Sequence, residues 1–127
     1  FDVLYKRLCH LIDENQRVVD MKDQLQKGAA EKVGTILNES HKSLSHLYEV
    51  SCEEIDYMIE MSEGVDGWHG GRIMGGGFGG CCIHLVADGA VEDFTYHITE
   101  SYRKKFNIIP KIMNVTFPGD LKKNKIY

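Results

Sequence analysis

Residues 70–82 read Gly-Gly-Arg-Ile-Met-Gly-Gly-Gly-Phe-Gly-Gly-Cys-Cys, and five of the 13 glycines fall within residues 75–80. So dense a run cannot continue a helix or a strand, because every glycine adds backbone freedom that folding has to remove. It belongs in a loop whose backbone takes positive φ angles or lets another group approach its amides. Consecutive N–H groups in such a loop can form an anion-binding concavity. The same backbone also permits plain close packing of two strands or of a neighbouring domain. The glycines by themselves leave both readings open.

What flanks the loop limits it further. Trp68–Met74 and Cys81–Val86 are short apolar runs on either side, which reads as strand, loop, strand. Upstream the period is helical. Leu4, Leu8, Leu11, Ile12 and Val19 mark a helix over about the first 20 residues, with a polar break expected over residues 20–28. Ala30, Val33, Leu37, Leu44, Leu47 and Tyr48 mark a second helix, whose apolar stripe is interrupted at Ser40 and His41. That pair is either a satisfied polar pair near the helix surface or part of a cleft wall.

Ser51 and Glu54 have capping-box spacing and Val50 can staple onto Ile55, so a third helix starts there and runs through Met58 and Ile59 to Gly64. Past the loop, Asp88 is placed to cap a fourth helix with Val91, Phe94, Ile98, Tyr102 and Phe106 on one face. A last strand is expected over residues 112–117, where Met113, Val115 and Phe117 alternate before Pro118-Gly119. The resulting fold class is α+β: a ferredoxin-like antiparallel sheet with helices packed on one face, in a single domain spanning residues 1–127.

Charge and cysteine usage remove several function classes. A net charge of −4 argues against a nucleic-acid or anionic-membrane surface as the main partner. No run approaches 18 apolar residues. The four cysteines (Cys9, Cys52, Cys81 and Cys82) lack CxxC spacing and read as buried, reduced thiols in a reducing, cytoplasmic setting. The six histidines include no HExxH, and no metal site is expected. The chain opens Phe-Asp-Val inside an amphipathic pattern, which reads as an excised domain.

Three familiar glycine loops fail on context. Gly75, Gly77 and Gly80 match G-x-G-x-x-G, but a dinucleotide turn must open a helix, and here a strand-like Cys-Cys-Ile-His-Leu-Val follows. A protein-kinase loop needs a lysine on the next strand, and none occurs between Cys81 and Arg103. The Gly-Lys-Ser/Thr of a Walker A loop is absent.

The run from Gly70 to Cys81 resembles the third conserved motif of the galactokinases, members of the GHMP kinase superfamily with homoserine, mevalonate and phosphomevalonate kinases. Asn38-Glu39-Ser40-His41-Lys42-Ser43-Leu44, Tyr48-Glu49-Val50-Ser51 and Glu54-Ile55-Asp56 resemble the segment that precedes this motif in galactokinases. The region of Arg17 fits more loosely. One departure stands out: Ile73-Met74 replaces the usual Met-Thr before the glycines, so a hydroxyl is missing.

The resemblance implies ATP-dependent phosphorylation of the 1-hydroxyl of galactose, with ATP and Mg²⁺ bound mainly by an amino-terminal domain of the same protein. It implies that Gly75, Gly76, Gly77, Phe78, Gly79 and Gly80 form the element that closes on the phosphates, with Arg72 structural. No catalytic residue is expected in this chain. Asp56 and Glu54 read as parts of a capped helix, and His69 and His84 as packed or surface histidines. Alone, the chain is expected to fold and to be essentially inactive. The alternative is a galactokinase-like sensor that binds sugar and ATP without significant turnover.

Overall fold

The chain is described by a computed structural model covering residues 2–75, 77–78 and 80–115. Helix α1 (Asp2–Lys27) is followed by α2 (Ala30–His46), α3 (Glu53–Ser62), strands β1 (Trp68–Met74) and β2 (Cys81–Val86), a short 3₁₀ turn (Asp88–Ala90) and α4 (Val91–Phe106). The strands pair antiparallel with Arg72 opposite Ile83 and Met74 opposite Cys81, and a register irregularity lies between Trp68 and Gly70. Helices and an antiparallel sheet thus share one core, as the α+β reading requires.

That core is small and specific. Val33, Ile55, Ile59, Ile73, Phe94 and Ile98 are its buried apolar residues, drawn from α2, α3, β1 and α4. Helices α3 and α4 are joined at both ends: Tyr57 donates to the Ser101 carbonyl at 3.2 Å, and His97 Nε2 lies 2.8 Å from the Met61 carbonyl.

Helix α2 meets β1 backbone to backbone. A Cβ on Gly34 would lie 2.1 Å from the His69 carbonyl oxygen, and one on Gly70 would lie 2.0 Å from the Gly34 oxygen. The two glycines face each other, and no other residue type fits this approach. The close contact lets α2 reach the amides of β1 that point away from β2. Asn38 Oδ1 accepts from Gly71 N at 2.9 Å, and His41 Nδ1 accepts from Ile73 N at 3.1 Å. Side chains one helical turn apart thereby satisfy alternate amides of an edge strand.

Five expectations are corrected. The break over residues 20–28 is helical up to Lys27, because Gln16–Asp20 and Lys27–Asp23 pairs at i,i+4 support the polar stretch; the chain turns only at Gly28, with φ +65°. The apolar stripe of α1 does not enter this core: Leu4, Leu8, Leu11, Ile12 and Val19 are exposed, and His10 is buried instead.

Helix α3 begins at Glu53, so Cys52 holds the cap position without a side-chain cap bond, and Ser51, one residue further out, donates to Asp56 Oδ1 at 2.7 Å. Asp88 opens the 3₁₀ turn rather than capping α4, which follows Ala90 without a side-chain cap. Of the strand expected over 112–117, residues 112–115 form none. Met113 and Val115 are largely exposed there, and an alternating pattern becomes a strand only against a partner edge. Residues 116 and 117 lie outside the described residues.

Candidate functional site

The glycine loop joins β1 to β2 as the tip of their hairpin. Gly75, Gly77 and Gly80 have φ of +76°, +88° and +91°, and Phe78 also sits in the left-handed region at +59°. Gly76 and Gly79 lie outside the described residues. The Phe78 ring is 76% exposed, so it contributes nothing to the core and stands out from the loop.

One point of the tip is fastened down. The Phe78 N–H donates to the Val50 carbonyl, and a Cβ on Gly77 would lie 2.6 Å from that same oxygen. The amide of Phe78 is therefore already engaged. Around Gly75 and Gly80 a Cβ would meet nothing within 4 Å, so those parts of the tip face open space.

The polar pair that interrupts the stripe of α2 is fully buried and fully bonded. Ser40 Oγ donates to Glu14 Oε1 at 2.7 Å and accepts from Arg72 Nη1 at 3.1 Å. Arg72 also reaches Glu14 Oε1 at 3.3 Å, so it ties β1 to α1 and α2. Glu14 also bonds Arg17 at 2.8 Å; burial opposes its charge, but the Ser40 and arginine contacts prevail and lower its pKa. Ser40 further lines a shallow cavity of about 130 Å³ with Glu14, Arg17 and Arg72; the pair is thus satisfied, but buried and not near the helix surface.

His41 lies between β1 and α3. Its Nδ1 accepts from Ile73 N, so its proton sits on Nε2 and is donated to Asp56 Oδ1 at 2.9 Å. Asp56 also accepts from Ser45 at 3.0 Å and Ser51 at 2.7 Å. It is the acceptor at the centre of a polar cluster, although its side chain is still 44% exposed. Burial lowers the pKa of His41 below the ordinary imidazole value, although Asp56 pulls it upward.

His84 sits behind the loop on β2. Its Nδ1 accepts from the Trp68 indole at 3.0 Å, Nε2 faces Cys82 Sγ at 3.1 Å, and Phe94 packs against the ring. Burial drives its pKa down to about 4 and that of the Cys82 thiol up to about 11. His84 is a packed histidine, as one of the sequence readings has it.

Sequence reasoning missed Asn38, Asp56 and the Val50 carbonyl as supports of the loop. The only local signal was the polar interruption on α2 itself. Among the described residues no three His, Cys, Asp or Glu side chains come together in a way that could hold a metal ion. No described helix is long and apolar enough to cross a membrane. The arrangement is thus a hairpin fastened at Phe78 and open around Gly75 and Gly80, with the free thiol of Cys81 exposed where β2 begins.

A family model described as GHMP kinases C terminal matches residues 21–104. A galactokinase of Thermotoga neapolitana is 44% identical over 84% of this chain and 31% of its own length. One from Actinobacillus pleuropneumoniae is 40% identical over 84% of this chain and 28% of its own. The crystal structure of Lactococcus lactis galactokinase complexed with galactose superposes with a TM-score of 0.81 at 35% identity, covering 86% of this chain and 28% of that one. The chain therefore spans about a third of the length of the curated relatives it matches.

Proposed function

This chain belongs to the GHMP kinases and carries the C-terminal domain of that family; on that premise we propose that it is the carboxy-terminal part of a galactokinase. It works with an amino-terminal domain of the same protein in the cytoplasm, transferring a phosphoryl group from ATP to the 1-hydroxyl of galactose. The observation that carries the reading is the glycine hairpin, its tip open and its foot fixed, in a chain 44% identical to a galactokinase.

Phosphoryl transfer is mostly positioning and electrostatic stabilisation. A loop lined by backbone can approach phosphates where side chains would intrude, and Gly75 and Gly80 have that open space. By the resemblance to galactokinases, Mg²⁺ and the sugar are bound mainly by the amino-terminal domain. The large apolar face of α1 (Leu4, Leu8, Leu11, Ile12 and Val19, all exposed) supports docking of that domain.

The test is galactose-dependent ADP release by the protein that joins this chain to its amino-terminal domain. Turnover with galactose and little with glucose or homoserine is expected, and no ADP release by the 127-residue chain alone. Met74, 43% exposed where the family carries a hydroxyl, favours one second reading, a sensor. That reading predicts ATP and galactose binding without turnover. Within the kinase, Gly77→Val forces a β-branched residue to φ +88° against the Val50 carbonyl, and turnover should fall by roughly 10²-fold through misplacement of the loop.

A further inference from the structure

Two holds on the glycine loop converge on one carboxylate. On the entry side, Ile73, two residues before Gly75, gives its N–H to His41 Nδ1. His41 donates its single ring N–H, at Nε2, to Asp56 Oδ1, and the same oxygen accepts from Ser51. Ser51 follows Val50, whose carbonyl takes the Phe78 N–H inside the loop. The path Ile73, His41, Asp56, Ser51, Val50, Phe78 therefore closes around the first half of the loop.

We propose that His41 and Asp56 are positioning residues of the phosphoryl-transfer reaction, holding the glycine tip in register through Ile73 and Val50 without touching either substrate. The inference rests on the kinase reading above for its kinetic consequence, but not for its structural one. A segment this rich in glycine has no side-chain packing of its own to fix it, so its geometry must come from such outside bonds. His41 is 4% exposed, and both of its ring nitrogens are engaged.

The device works in one protonation state. Nδ1 accepts only when the ring is neutral, and an imidazolium would set N–H against the N–H of Ile73. The charged and titratable groups facing His41 are Asp56 from α3, Arg72 from β1, His46 on its own helix and His84 from β2. Asp56 favours the imidazolium, whereas burial, Arg72 and His46 disfavour it, and burial is the largest of these. Acidification that protonates the His41 ring should release the Ile73 arm.

The test compares His41→Leu, which removes both bonds, with His41→Gln, whose amide can accept from Ile73 and donate to Asp56 but cannot titrate. In the full enzyme His41→Leu should lower kcat by roughly 10²-fold with the KM for galactose unchanged. His41→Gln should recover most of that loss at pH 8 and lack the acid limb of the wild-type profile. Hydrogen exchange at Ile73 and across residues 75–80 should accelerate in His41→Leu and not in His41→Gln. Wild-type exchange rates in the Leu variant, or an unaltered acid limb in the Gln variant, overturn the proposal. If His41→Leu does not fold, the pH profile and exchange of His41→Gln decide it. If the wild type does not phosphorylate galactose, the kinase reading fails and exchange alone decides the positioning role.

Discussion

At the scale of single residues, burial holds three histidines, His10, His41 and His84, toward the neutral form, and His84 gives the clearest pH dependence. Its folded-state pKa of about 4 lies below the ordinary 6.5, so between those values the unfolded chain binds the extra proton. The stabilisation is complete above pH 6.5 and is lost as pH falls through 4, amounting to about 3 kcal/mol at most. Trp68 is the chain's sole tryptophan and donates to His84, so its fluorescence reports directly on the site. Urea unfolding at pH 7.5 and 4.5 should show the loss, and His84→Gln should flatten it. An identical pH slope in the variant would assign the acid sensitivity elsewhere. The same burial leaves Cys82 with a poorly ionised thiol, held between His84 and Met58.

At the scale of elements, the contact of α2 with β1 depends on Gly34 facing Gly70. Gly34→Ala places a methyl about 2.1 Å from a carbonyl oxygen that belongs to backbone and cannot rotate aside. The expected destabilisation is about 3 kcal/mol or more, measured by denaturant midpoint at constant m-value. Gly89→Ala serves as the control: a methyl there meets nothing within 4 Å, and its effect should stay within about 0.5 kcal/mol.

Neither glycine announced this role in the sequence, because the two face each other across 36 residues of chain. Both strands, by contrast, were legible to the residue, because a switch from helical to short apolar runs on either side of the glycines leaves little freedom of boundary. Helix α1 was misjudged at residues 20–28 because its polar C-terminal half has no buried face to generate a period. Of the site, the glycines and Arg72 were visible as types in a run. The supports from Asn38, His41 and Asp56 were not, since they act across 15 to 33 residues of sequence.

At the scale of the whole molecule, α1 is the unbalanced part. Val3, Leu4, Leu8, Leu11, Ile12, Val18 and Val19 are each at least 48% exposed on one helix, a patch that monomers seldom leave uncovered. The chain on its own should therefore associate with concentration in sedimentation velocity, and Leu8→Glu with Ile12→Lys should restore the monomer. A monomeric wild-type chain at 100 µM, on the order of ordinary laboratory concentrations, would contradict this. The opposite side of the fold is arranged otherwise. With the outward amides of Gly71 and Ile73 bonded to Asn38 and His41, the margin of β1 has no vacancy there for another strand. The far margin of β2 is unpaired among the described residues. Sheet growth is thus one-directional: any strand that joins this hairpin, from this polypeptide or from a stranger, is templated alongside β2 and never alongside β1.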